Sequence, residues 1–556
     1  MAAFEHAAPR SGAWRGLLAL LVLAAGVLQA GALAWPWAAP LTAPDGTVAG
    51  APPLWWLQLL SLAVLCAVLL RTERPAQAAW WGGLFATAWL SATFWWLFIS
   101  MHVYGGLAAP LAAAAVLALA AFLASYYAIA SWLFCRFKSR GQARAALFFV
   151  ALWTLAEMAR GTLWTGFPWG AGGYAHVEGP LAPLARWVGV YGVGAAAAAV
   201  AMLLAQGLHV LRMHPRQRLA WLAAWTLVLL VCAAATVART RALDDARADG
   251  GVAAAAARVH TLALLQGNIP QDEKFQPGSG VPLALAWYAE ALRSTPARMV
   301  VAPETAVPLL PQQLMPGYMD GLREHFARGE QAALVGVPLG DAEQGYTNSV
   351  LGWAPEAAEY QYDKHHLVPF GEFIPPLFRW FTAMMNIPLG DFNRGAVGQA
   401  SMAWAGERWA PNICYEDLFG EELAARFDRP ETSPTVFVNV SNIAWFGDSV
   451  AIDQHLSISR MRALEFERPM VRATNTGATA VIDHRGQVTH ALPRLTRDVL
   501  LADVQGRGGP DADTWAATPF ARWAAPWGLA PAWMAMGLLA LACARWRQRS
   551  RGRGRA

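Results

Sequence analysis

The stretch 297–305, ARMVVAPET, decides the fold class of the chemically active part of the chain. Met299 to Ala302 is an unbroken apolar run, Pro303 stops it, and Glu304 follows at once. A run this short, rich in valine and closed by proline, predicts a strand buried on both faces rather than a helix. Runs of the same kind recur at 260–268 (HTLALLQGN), 331–340 (QAALVGVPLG), 346–354 (YTNSVLGWA), 435–442 (TVFVNVSN) and 477–486 (GATAVIDHRG). Between them Val281–Ser294, Met319–Gly329 and Asp453–Glu467 have helical patterning, and His484–Gly486 forms the tip of a hairpin. The class is α/β, with sheets buried between helices.

The rest of the chain differs in kind. Of its 556 residues, 56% are hydrophobic, 15% are charged and 28 are tryptophan, and the mean hydropathy is +0.30. Soluble domains carry about a quarter charged residues, so this balance points to membrane segments. With about 20 apolar residues needed to cross a bilayer, the expected spans are Leu17–Trp35, Leu54–Leu70, Ala78–Ile99, Leu107–Phe134, Ala145–Met158, Val188–Val210, Leu219–Val237 and Trp523–Ala544. The first is too long for a cleaved signal peptide and is kept as an anchor. The expected organisation is a polytopic α-helical membrane domain over 1–238, an α/β domain over 239–520, and a last span with a basic tail over 521–556.

Basic residues orient these spans. Arg10 and Arg15, Arg71 and Arg74, Arg136 to Arg144, and Arg212 to Arg218 fall in alternate loops, whereas Pro36–Pro53 and Met101–Gly106 contain no Lys or Arg. Both termini are therefore expected in the cytoplasm and the α/β domain on the outer side. The tail RWRQRSRGRGRA is a topology anchor in this reading, and no nucleic acid is expected as a partner.

Four of the five cysteines lie in or beside spans, and Cys414 alone belongs to the α/β domain. It has no soluble partner for a disulfide, and the spacings of a zinc-thiolate cluster are missing. Its setting, APNICYEDLFG (410–420), places Glu416 and Asp417 beside the thiol, which disfavours a thiolate. Two other strand ends carry complementary groups: Glu304, and Lys364 after the alternating YQYD, with Glu372 eight residues beyond Lys364. A glutamate can take a thiol proton, and a lysine can stabilise both the thiolate and an oxyanion. From the residues alone a buried structural cysteine and a catalytic one both stand. His365 and His366 have no third ligand at suitable spacing, so no metal is expected.

PET (303–305), DKHHLVPFGEFIP (363–375) and NICYED (412–417) resemble the Glu–Lys–Cys signature of the nitrilase superfamily. LLQGNIPQDEKF (264–275), GFPW (166–169), WFGDS (445–449) and RMRALEFERPMVRATNTGATAVID (460–483), in a frame of eight spans, are similar to its membrane-embedded branch, the bacterial apolipoprotein N-acyltransferases. The resemblance implies a nitrilase-like αββα sandwich and a two-step acyl transfer without a cofactor. Cys414 would attack a phospholipid ester to form a thioacyl-enzyme, with Glu304 as base, Lys364 on the oxyanion and Glu372 supporting the site. The acyl chain would then pass to the α-amino group of an S-diacylglyceryl-cysteine at the N-terminus of an apolipoprotein. It also implies a multi-pass protein of the bacterial inner membrane with its catalytic domain in the periplasm. The chain departs from the family at Phe275, where Trp is usual, and at Ile443, where an acid is frequent.

Further expectations concern the substrates. The loop 161–180, GTLWTGFPWGAGGYAHVEGP, has the composition of a membrane interface. WFGDS suits an aromatic lid. Phe275, Trp445, Phe446, Arg160 and Trp169 are the expected substrate contacts, and Tyr415 and Glu416 are expected walls of the site. Arg160 and Glu157 are expected either to pair or to meet a lipid headgroup. Two other functions compete: a membrane-tethered amide hydrolase using the same triad, and a transporter with an outer regulatory domain. Eight spans argue against the first, and the scarcity of ionisable residues within the spans argues against the second.

Overall fold

The structure, a computed structural model, describes residues 12–139, 141–208, 214–249, 259–375, 391–508 and 517–552. Arg10, Arg140, Arg212 and the last four residues of the tail lie outside them. Five helices are long and apolar enough to cross a membrane: Trp14–Gly31, Ala109–Phe137, Gln142–Thr165, Ala182–Gly207 and Pro215–Thr240. Two further segments are helix pairs, Pro75–Phe94 with Leu97–Tyr104 bent by 60°, and Pro519–Trp527 with Ala530–Arg545 bent by 94°. Together with the shorter Trp55–Arg71, these match the eight expected segments one for one. The short run Ala145–Met158 belongs to a full helix, Gln142–Thr162. The third and eighth segments are not single straight helices. In the eighth, Pro526 withholds a backbone donor and Gly528 turns left-handed at φ 52°, which breaks the helix two residues later.

A small hairpin, β1 (Leu41–Thr42) and β2 (Val48–Gly50), lies between the first two helices. The α/β part contains β3 (Val259–Gln266), β4 (Met299–Val301), β5 (Ala332–Asp341), β6 (Gly345–Trp353), β7 (Tyr360–Asp363), β8 (Met402–Trp404), β9 (Glu407–Ile413), β10 (Val436–Ser441), β11 (Met470–Thr474), β12 (Ala480–Ile482), β13 (Val488–Ala491) and β14 (Asp498–Gln505). They form two six-stranded sheets, in the orders β14-β3-β4-β5-β6-β7 and β13-β12-β11-β10-β9-β8. Each has a parallel centre, β3-β4-β5 in one and β9-β10-β11 in the other, with antiparallel strands outside it.

Side-chain alternation builds the layers. Leu262, Leu264, Met299 and Val301 of the first sheet meet Trp409, Ile413, Val438 and Val471 of the second in one dry core. Ala263, Leu265, Val300 and Val335 face the other way, against the helices Gly280–Ser294 and Tyr318–Arg328. The outer face of the second sheet, through Ala410, Phe437, Met470 and Ile482, packs on the helix Ala451–Phe466. This is an αββα sandwich. Its second helical layer is not a surface, because the same apolar cluster continues without a break into the membrane-type helices.

Candidate active site

In each sheet the chemistry gathers where strands end, the usual place for a site in an open parallel sheet. Glu304 follows β4, Lys364 follows β7 and Cys414 follows β9. Gly336 of β5 runs so close under β4's exit that a methyl group on it would overlap the Pro303 carbonyl, so a residue without Cβ is required there. The backbone amide of Lys364 donates to the Asn348 carbonyl at 2.8 Å, which fixes its strand end.

The structure brings the expected acid, lysine and thiol together and adds a residue that sequence reasoning missed. Lys364 Nζ lies 2.8 Å from Glu372 Oε1 and 3.4 Å from Glu304 Oε1. Asn348 Nδ2 donates to the same two oxygens, at 2.8 Å to Glu372 and 2.7 Å to Glu304. The Asn442 backbone N–H donates to Glu304 Oε2 at 2.8 Å, and the Val368 N–H to Glu372 Oε2 at 2.8 Å. Burial alone would raise Glu304, but Lys364 and then Asn348 hold it below the usual carboxylate range. Burial works against the charge on Lys364, and Glu372 and Glu304 outweigh it, keeping the ammonium well above its ordinary value.

Cys414 begins a tight 3₁₀ turn, Cys414–Leu418, with a left-handed φ of 52°. A non-glycine residue held there stores about 1–3 kcal/mol, which the surroundings must offset. Here Asn439 Nδ2 (3.3 Å) and His455 Nε2 (3.2 Å) both meet the Cys414 carbonyl. Burial and then the Glu304 charge push the thiol up to about 12, against Lys364 and a hydrogen bond with Ser441. The resting set is therefore a neutral, partly accessible thiol beside a charged carboxylate and a charged lysine. Such a set can attack an acyl carbon only as the carboxylate removes the thiol proton.

The acids beside the thiol have other work. Glu416 accepts from Tyr362 Oη (2.9 Å to each oxygen), from the backbone N–H groups of His365 (2.6 Å) and His366 (3.2 Å), and from Ile413 N–H (2.7 Å). It ties the Lys364 strand end to the nucleophile turn from behind, so it positions the site more than it walls it. Asp417 is fully buried against His455 (3.0 Å), Arg472 (3.3 Å) and Ser459. The charged groups acting most strongly on the thiol are Glu304 and Lys364, not its neighbours in the chain. Tyr415 faces the membrane part: its hydroxyl donates to the Gly166 carbonyl at 3.1 Å and its ring stacks near Phe167.

The expected substrate contacts fall into four places. Trp169 and Phe446 join Trp96 in an aromatic cluster, with ring centroids 4.8 Å (Trp96–Trp169) and 4.2 Å (Trp96–Phe446) apart. Trp445 packs on Tyr104 at the end of the bent helix pair. Phe275 is half-buried beside Lys274. Arg160 has no exposed surface. It donates to Tyr127 Oη (2.9 Å) and to the carbonyls of Phe167 and Trp169 (2.8 Å), so it shapes the GFPW turn instead of meeting a headgroup. Glu157 makes no ion pair with it and accepts from the Gly172 N–H at 3.2 Å. The loop 161–180 is mostly buried, with Trp169, Tyr174 and His176 inside, and Trp164 at its tip is the most exposed of its large apolar side chains. Tyr174 Oη donates to the Leu418 carbonyl, and His366 Nε2 meets the Thr165 carbonyl. The loop is the joint between the two halves, a role its aromatic composition did not distinguish from anchoring.

Gln454 is another residue missed in the sequence. Its Oε1 accepts from the indole N–H of both Trp96 (3.1 Å) and Trp169 (2.8 Å), and the next residue, His455, stacks on Trp169. An Asn or Gln inside a helical pattern carries no such signal, whereas Asn442 directly follows the apolar strand β10. Among the described residues no group of three or more His, Cys, Asp or Glu is arranged to hold a metal ion.

Comparison with known proteins agrees with this geometry. Residues 261–510 match the carbon-nitrogen hydrolase family. Residues 19–203 match the family described as the apolipoprotein N-acyltransferase N-terminal domain. An apolipoprotein N-acyltransferase of Verminephrobacter eiseniae (strain EF01-2) is 62% identical over 524 residues, covering 91% of this chain and 92% of that protein. The chain belongs to the apolipoprotein N-acyltransferase family. Its Ralstonia nicotianae relative of that name is 47% identical over 91% of this chain and 93% of its own length. The one from Bordetella bronchiseptica is 41% identical over 88% and 92%.

Proposed function

We propose that the chain transfers a fatty acyl group from a membrane phospholipid to the α-amino group of an N-terminal S-diacylglyceryl-cysteine, through a thioester on Cys414. The observation that carries this reading is the convergence of Glu304, Lys364 and Cys414 in a sandwich whose helical layer is continuous with membrane-type helices. In the first step Glu304 takes the Sγ proton as sulfur attacks the ester carbonyl. Lys364 balances the oxyanion, and collapse breaks the C–O bond while Glu304 returns the proton to the leaving lysophospholipid oxygen. In the second step an amine attacks the thioester carbonyl, the C–S bond breaks, and the proton lost by nitrogen returns to Sγ through Glu304. Glu372, Asn348 and Glu416 hold these groups in place. The family and the basic loops favour a bacterial inner-membrane protein with its catalytic part, about 239–520, outside the cytoplasm, between membrane regions 1–238 and 521–556.

The purified protein should carry a hydroxylamine-labile acyl group on Cys414, seen as a mass increment on its tryptic peptide. Cys414→Ala should lose both the adduct and acyl transfer to a lipidated peptide. An active Cys414→Ala enzyme overturns the reading, and hydrolysis of small amides without acyl transfer would favour a tethered amidase.

A further inference from the structure

Lys274 is a buried cation-forming group that the two steps above do not use. It is 1% exposed, in the segment 268–275 that wraps over the Glu304 strand end. That segment is firmly held. Asn475 bonds both backbone groups of Ile269 (3.0 and 2.8 Å), Gln271 Oε1 accepts from Asn442 Nδ2 (2.9 Å), and the Lys274 amide donates to the Pro270 carbonyl (2.8 Å). The side chain ends against the catalytic groups: Nζ donates to the backbone carbonyl of Glu304 at 3.1 Å and lies within the electrostatic reach of the Cys414 sulfur. No carboxylate among the described residues forms an ion pair with it, in contrast to Lys364, which has two.

A desolvated lysine whose partner is a neutral carbonyl is pushed toward the uncharged amine. Burial takes Lys274 down to about 7, with Glu304 and Cys414 pulling the other way. The site thus holds two lysines of opposite character, one fixed as a cation and one able to exchange a proton near neutrality.

The second half-reaction needs such a group. An α-amino group, with a pKa of about 7.7–8.0, is mostly ammonium at pH 7 and cannot attack. Glu304 is already engaged, since it must carry the proton of the tetrahedral adduct to the departing sulfur. We infer that Lys274 is the base that neutralises the incoming ammonium, an assignment that rests on the acyl-transfer reading above. The acceptor R–NH₃⁺ gives one proton to Lys274 Nζ, and the resulting R–NH₂ attacks the thioester carbonyl. The adduct's N–H proton passes to Glu304 and on to Sγ as the C–S bond breaks. Lys274 then releases its proton to water, so the half-reaction yields amide, thiol and one proton.

Isolating the two half-reactions tests this. With Lys274→Met in the full-length protein, transfer to a diacylglyceryl-cysteine peptide at pH 7 should fall about tenfold further than thioester formation from phospholipid does, the share of amine that is free without help. The gap should close by pH 9. Hydroxylamine, unprotonated at pH 7, should discharge the thioacyl-enzyme equally fast in both proteins. Lys274→Arg keeps the charge without a usable base, so it should be as slow as the methionine variant, and it carries the test if that variant does not accumulate. Rescue by arginine, or equal loss in both half-reactions, overturns the assignment. If wild-type protein forms no thioester at all, the acyl-transfer reading itself fails, and that result is distinct from either.

Discussion

Replacing Asn348 by leucine isolates the electrostatic setting of the base. Asn348 is 4% exposed and its Nδ2 touches Glu304 at 2.7 Å and Glu372 at 2.8 Å. A hydrogen bond to a charged group contributes about 1.5–3 kcal/mol. Leucine has nearly the same size and no donor, so it removes the bond and leaves the packing. Losing the Glu304 bond removes that stabilisation from the ionised form and so raises the carboxyl. The sign follows from the structure: Lys364 and Asn348 both favour the ionised form, so without Asn348 the proton is held more tightly. A base must be unprotonated to act, so the acid limb of thioester formation should move to higher pH, with most of the loss at the acid end of the range. Single-turnover acylation in phospholipid-containing micelles between pH 5 and 9 reads this directly as hydroxylamine-labile acyl on Cys414. A limb that stays in place while the rate falls equally at every pH would refute Glu304 as the base. The contrasting change Asn348→Asp would set a third carboxylate against the other two and should abolish the reaction.

Two further substitutions probe the frame. Glu416→Gln keeps the shape but replaces one acceptor oxygen by a donor facing backbone N–H groups, and should cost about 2–4 kcal/mol in stability. Thermal unfolding of the detergent-solubilised protein checks this, and a shift equivalent to under about 1 kcal/mol would show that Glu416 does not clasp the Lys364 strand end. Gln454→Leu strips the acceptor from two buried indole N–H groups, so each unmet donor should cost about 1–3 kcal/mol. An unchanged unfolding midpoint there would contradict the clamp between Trp96, Trp169 and the helix Ala451–Phe466.

The sequence made some of this legible for clear physical reasons. Short valine-rich runs such as MVVA and VFVNVS are buried on both faces, so composition alone marks them as strands, and their exits placed Glu304 close to its final position. β14 and β8 escaped notice because edge strands are half exposed and lack that continuous apolar signature. The strand ends carrying Glu304, Lys364 and Cys414 stood out as positions, but a charged group at a strand end is ordinarily just solvated, so their joint role rested on the resemblance of PET, DKHHLVPFGEFIP and NICYED to a known signature. Asn348 and Gln454 were not, because a buried amide differs from an exposed one only through partners 24 to 361 residues away. The acids beside Cys414 misled for a related reason. Sequence adjacency suggested that they act on the thiol, whereas the left-handed turn at Cys414 sends Glu416 and Asp417 toward other partners.

The unbroken apolar cluster that runs from the second sheet into the membrane-type helices fixes more than stability. A catalytic head on a flexible stalk would sample a range of heights, and any ester within its radius would be exposed to it. Here the thiol's height is set by packed side chains and cannot drift relative to the apolar belt. On the acyl-transfer reading proposed above, selection among lipids would then be partly a matter of depth: an ester at the level of the sulfur would be cleaved, and one above or below it spared. Bilayer thickness would enter the reaction as a variable in its own right, as important as the headgroup a lipid carries.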